Sequence, residues 1–146
     1  AGMLVGRATY ESVLWREREA ELFFRGGQYV RAIKLFKERY TRAPEGVEEL
    51  VEKKCLRRAY PDPMSRDGSW LWVMQGTRQG QANALVRVPQ DLAPALKATH
   101  TWVGVCSSSE QEGYRIYRER KIYAEWAFYP DPDPKKKLPD IPLVRP

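Results

Sequence analysis

The chain has 146 residues, with 25 Lys plus Arg against 19 Asp plus Glu and a net charge of +6. That length suits one domain with appendages, and 42% hydrophobic with 12% aromatic residues excludes global disorder. The longest apolar run, Trp70–Met74, falls far short of the ~18 residues of a membrane-spanning helix, two cysteines exclude a disulfide scaffold, and one histidine leaves little for metal or acid–base chemistry.

A start at Ala1 rather than Met fits a processed or internal beginning, and Ala1–Arg7 lacks the charged-then-apolar layout of a secretory signal. Residues 1–60 are expected to be helical. Thr9 suits a cap for a first helix through Phe24, which Gly26-Gly27 is expected to stop. A second helix follows from about Tyr29 to Arg42, with Ala32, Ile33, Phe36, Tyr40 and Ala43 on one face and Arg31, Lys34, Glu38 and Arg42 opposite. Pro44 and Gly46 break it. A third helix is predicted over Val47–Ala59, burying Val47, Leu50, Val51 and Cys55 and ending at Pro61-Asp62-Pro63.

The spacing Gly27-x-Tyr29-x-x-Ala32-Ile33-x-x-Phe36-x-x-x-Tyr40-x-x-x-Pro44 resembles the second half of a tetratricopeptide repeat. Trp15, Ala20 and Phe23 stand at or beside positions of the first half, so the likeness covers about residues 11–44. It implies an antiparallel helical hairpin with the third helix as its cap, and a protein-binding scaffold without catalysis. Arg39 departs from the small residue usual there, and the chain holds one copy of the unit, whereas such repeats normally stack. No peptide-binding residues carry over.

Residues 61–129 change character. Trp70–Met74 predicts a strand buried on both sides, Gln75–Gln81 a turn, Leu85–Val88 a second strand, and Asp91–Ala98 a short helix with Pro94 in its first turn. Trp102–Val105 predicts another strand, and Ser107–Ser109 with Gly113 a polar break. Between Tyr114 and Tyr129 the pattern admits two readings. Ser107-x-x-Glu110 matches a capping box before a helix, but the charges leave no apolar stripe. The strand reading, with Ile122, Ala124, Trp126 and Phe128 on one face, is preferred. The fold class expected is therefore α+β: a helical hairpin with a capping helix, a small antiparallel sheet and a tail.

Residues 130–146 hold six of the 11 prolines and predict an extended, polyproline-like segment. Such a tail needs a surface to lie on, and a partner's is expected, docked through Pro130, Pro132, Pro134, Leu138, Ile141 and Leu143.

Chemistry-bearing patterns are sparse. His100 and Cys106 lack an orienting third group for nucleophilic catalysis, and the wide Cys/His spacing matches no zinc motif. Gly76–Gly80 lacks the Lys-Ser/Thr of a phosphate loop, and the prolines around Asp131 and Asp133 forbid a tight calcium loop. Glu11, Glu17, Glu19 and Glu21 alternate with Arg16 and Arg18 as on a solvated helix. No catalytic residue, cofactor or metal is expected.

Positive charge gathers in two places. Arg25–Arg42 holds six basic residues against Glu38, with Arg31, Lys34, Lys37 and Arg42 as candidate contacts; Tyr114, Arg115, Tyr117, Arg118, Arg120 and Lys121 interleave aromatic and basic side chains. Such surfaces bind protein partners or phosphate backbones. The sequence is therefore read as a non-catalytic accessory subunit of a large multiprotein assembly, with a mitochondrial respiratory-chain or ATP synthase complex as first expectation. Its partners would be other subunits, and any membrane association would run through them. An organellar ribosomal protein contacting rRNA is the second expectation, and a free-standing repeat-like adaptor the third.

Overall fold

A computed structural model describes residues 2–76 and 84–145, so the turn expected at Gln75–Gln81 lies mostly outside the described residues. In chain order the elements are α1 (Gly2–Tyr40), α2 (Val47–Glu52), β1 (Trp70–Gly76), β2 (Leu85–Pro89), α3 (Ala93–Leu96), β3 (His100–Ser107), β4 (Glu112–Tyr117), β5 (Arg120–Ile122), a 3₁₀ turn (Tyr123–Glu125) and β6 (Ala127–Phe128). The class is mixed α+β: one long helix crosses a four-stranded antiparallel sheet of order β2-β1-β3-β6, beside the β4-β5 hairpin.

The break expected at Gly26-Gly27 does not occur. Residues 2–40 form one helix of 39 residues, about 58 Å long at 1.5 Å per residue. Two glycines inside a helix cost about 1 kcal/mol each, but Leu22 on one side and Tyr29, Ile33 and Phe36 on the other bury into the same core, which holds the helix straight through them. Gly26 has a packing reason to lack a side chain. A Cβ there would lie 2.5 Å from the Phe128 ring, so the glycine lets α1 settle onto β6. At its other end the helix stops at Thr41, which takes φ 55° and donates its N–H to the Lys37 carbonyl at 2.9 Å.

The third predicted helix is shorter than expected. α2 ends at Glu52, and Lys54 turns left-handed at φ 59° while the N–H groups of Cys55 and Leu56 both reach the Leu50 carbonyl. That wrap swings Leu56 into the core, which a continued helix would not do.

The apolar run of β1 is covered on both faces. Trp70, Trp72 and Met74 point toward α1, joined by Val88, Trp102, Val105, Trp126 and Phe128. On the opposite face Val73, Val103, Cys106 and Ala127 pack against Leu138 and Ile141, which belong to the chain's own tail. The proline-rich segment is thus the second cover of the sheet, and the expected partner surface is this domain itself. The tail also guards the β2 edge: Arg87 N–H donates to the Pro142 carbonyl and Val144 N–H to the Arg87 carbonyl, both at 2.8 Å.

Residues 114–129 contain strand, as preferred, but in three short pieces, with a 3₁₀ turn between the last two, rather than one alternating strand. The β4-β5 turn places Arg118 and Glu119 at φ 48° and 65°, both left-handed, the geometry a two-residue hairpin demands and glycine or asparagine usually supplies.

Candidate interaction surface

Arginine is what fixes the tail. Proline offers a carbonyl but no N–H, so a proline-rich segment laid on a sheet presents acceptors that need donors from elsewhere. Arg118 donates to Asp131 Oδ2 at 2.6 Å and to the carbonyls of Asp133 and Lys136. Arg120 donates to the Leu138 carbonyl at 2.9 Å and to Asp140 at 2.6 Å, while Arg87 reaches the carbonyls of Ile141 and Ala124. Asp131 is largely shielded, and desolvation alone would raise its pKa. The Asp133 N–H, Arg118 and Tyr129 outweigh it and hold the carboxyl below the usual range. A cavity of about 240 Å³ opens beside Arg87, Arg120 and Glu125, but both guanidinium groups there are already engaged by the tail.

This changes the second basic cluster. Arg118 and Arg120 face the tail rather than a partner, and Tyr117 packs between Phe23, Trp126 and Phe128. Arg115 lies over the Phe23 ring and 3.5 Å from Glu19. Tyr114 and Lys121 remain exposed. Of the proposed tail contacts, Leu138 and Ile141 are buried in the domain's own core, Leu143 pairs beside Arg87, Pro130 is half-buried, and Pro132 and Pro134 are exposed.

Two carboxylates are buried, and the first corrects an expectation. Glu19, expected on a solvated face, is 1% exposed. It accepts the backbone N–H groups of Tyr114 and Arg115 and the Tyr123 hydroxyl at 2.8–3.0 Å, pinning the β4-β5 hairpin to α1. Burial first, then that bond to the carboxylate, raises the Tyr123 phenol well above its ordinary value. Its position on the helix face of Leu22 and Gly26 was the available signal. Asp62, set between two prolines, accepts from Met64 N–H, Ser107 Oγ and Ser108 N–H and ties the incoming loop to the end of β3.

His100 and Cys106 lie at opposite ends of β3, about 20 Å apart at 3.3 Å per residue, too far to act as a pair. His100 meets Thr99 Oγ1, and burial pushes the Cys106 thiol up to about 12. Among the described residues no three His, Cys, Asp or Glu are placed to hold a metal ion, and no helix is long and apolar enough to cross a membrane. A hollow lined by Glu45, Glu48, Glu52 and Trp72 lies beside α2; the Trp72 indole N–H has no partner among the described residues, yet it is sealed from solvent and so beyond reach of the hollow.

What stays open is the outer face of α1. Tyr10, Val13, Leu14 and Phe24 are 65%, 45%, 38% and 50% exposed, while contacts with the sheet and hairpin involve the opposite face from Trp15 onward. Further along, Arg31, Lys34 and Lys37 are exposed and carry no ion pair among the described residues. Arg42 is different: its guanidinium grips Glu49 through two bonds of 2.9 Å, which hold the Glu49 carboxyl down to about 2. No family model, no curated protein and no solved structure matches the chain.

Proposed function

We propose that this protein is a non-catalytic structural subunit that joins a larger protein assembly through the outer face of α1. The observation that carries the reading is the exposed row of Tyr10, Val13, Leu14 and Phe24 on a helix whose other face is fully employed. Isolated exposed apolar residues are ordinary, but a row at helical spacing on a projecting helix is the form of a helix-docking surface. The tail supports the same reading by elimination, because its apolar residues are consumed internally.

The test is site-specific photo-crosslinking in cells, with the reactive group at Tyr10, Val13 or Phe24 and, as control, at the exposed Ala95 of α3. Discrete protein adducts at the three α1 sites and none at Ala95 are expected. Equal labelling at all four sites would refute the reading.

A second reading is supported by the unpaired cations Arg31, Lys34 and Lys37, which suit a phosphate backbone. Charge reversal at Lys34 and Lys37 would then weaken RNA binding and flatten its salt dependence. Salt-insensitive association would remove this reading.

A further inference from the structure

We infer that the outer face of α1 pairs antiparallel with the same face of a second copy of this chain, about a two-fold axis beside Phe24. The inference rests on the reading of that face as the contact surface and names its occupant.

Three features of the chain converge on a second copy. The first is the spacing. Tyr10, Val13, Glu17, Ala20, Phe24, Arg31, Leu35 and Glu38 recur at intervals of three, four or seven residues, the seam of a two-helix contact that runs from the exposed apolar row into the packed half of the helix. The second is charge polarity. With Glu19 buried, Glu21 paired with Arg25 and Arg42 with Glu49, the remaining groups are Glu11, Glu17, Arg16 and Arg18 over residues 10–24, which cancel, and Arg31, Lys34, Lys37 and Arg39 against Glu38 over residues 25–42, which leave +3. Two such helices repel when parallel, basic half on basic half, whereas an antiparallel pair avoids that and sets Glu17 of one against Arg31 of the other.

The third is register. A two-fold at Phe24 places residues symmetrically about it, so that Phe24 meets Phe24, Glu17 meets Arg31, Val13 meets Leu35 and Tyr10 meets Glu38. Each of these is a compatible pair, and a two-fold interface requires only that one surface complement itself. The seam covers residues 10–38, about 42 Å of helix. It also lays residues 10–23 of each copy along residues 25–38 of the other. Beside the axis Phe24 rests edge-on against Tyr60, with Arg58 over that ring at 4.8 Å.

The experiment is sedimentation equilibrium of the purified chain, with the thermal melt of every variant confirming that it is folded. The wild type is expected at twice the mass of one chain. Glu17→Arg or Arg31→Glu alone is expected to weaken self-association about tenfold, because the two-fold makes each contact occur twice, and the double variant to restore it. In a Cys55→Ser background, Phe24→Cys is expected to cross-link to itself and Tyr10→Cys is not. A monomeric wild type, a double variant no better than the singles, or a Tyr10→Cys self-cross-link would each overturn the inference. A monomer in solution that still shows the α1 photo-adducts of a different protein would overturn the second copy while leaving the contact-surface reading standing.

Discussion

Gly26 and Gly27 are adjacent in sequence but opposite in their expected response to alanine. Both lie inside α1, so each replacement gains about 0.5–1 kcal/mol of helix stability. At Gly27 a Cβ meets nothing within 4 Å, and the gain should appear nearly whole. At Gly26 the same atom would lie 2.5, 2.5 and 2.9 Å from three atoms of the Phe128 ring, where carbon atoms prefer about 3.5–4.0 Å. Helix or ring must shift by about 1 Å, and the ring is held by Phe23 and Tyr117 at 5.9 and 5.6 Å between centroids. Overpacking of that kind costs about 1–3 kcal/mol, so Gly26→Ala should lose about 1–2 kcal/mol net. Urea denaturation reads both values, and Tm should move by about 2–4 °C per kcal/mol in a chain of this size. If Gly27→Ala destabilised the protein, or if the two variants behaved alike, α1 would not run unbroken through this pair.

Other expectations follow from single contacts. Glu19→Ala removes the acceptor of two part-buried N–H groups and of the buried Tyr123 hydroxyl, and should cost about 2–4 kcal/mol in denaturant unfolding; a loss below about 1 kcal/mol would show that the hairpin is not pinned there. Glu119→Gly removes a left-handed strain from an exposed turn residue and should raise stability by about 1 kcal/mol, whereas no change would mean the turn is not left-handed at that position. Asp131 has a depressed pKa when folded, so its contribution to holding the tail is complete above the ordinary value of 3.8 and is lost as pH falls through the lowered one. Protection of residues 130–145 in hydrogen exchange should therefore persist at neutral pH and decline in acid below that value, and Asp131→Asn should show reduced protection at neutral pH already.

The sequence made the sheet legible because β1 and β3 are apolar runs with turn residues around them, and periodicity needs nothing more. The helices were harder. Gly26-Gly27 carries a strong local stop signal, but whether a helix survives two glycines depends on what lies across from them, and Phe128 is 102 positions further on. The tail failed for a related reason. Its composition announces an extended segment, yet only the fold shows that the exposed side of Val73, Val103 and Cys106 is the surface waiting for it. Arg118 and Arg120 looked like a partner-facing patch since spacing cannot reveal that the acceptors 13 to 20 residues later curl back upon them. By contrast, helical spacing puts Arg31, Lys34, Glu38 and Arg42 on an outward face, and all four are exposed, Arg42 in the grip of Glu49.

The central claim is that the outer face of α1 serves association and not folding. Its most direct test is the double variant Val13→Glu, Phe24→Glu, followed in cell extract by native mass and, after purification, by thermal unfolding. A melt close to that of the wild type and a shift of the protein from its larger particle to a single chain are expected. Retention in the particle with an unchanged melt would contradict that claim.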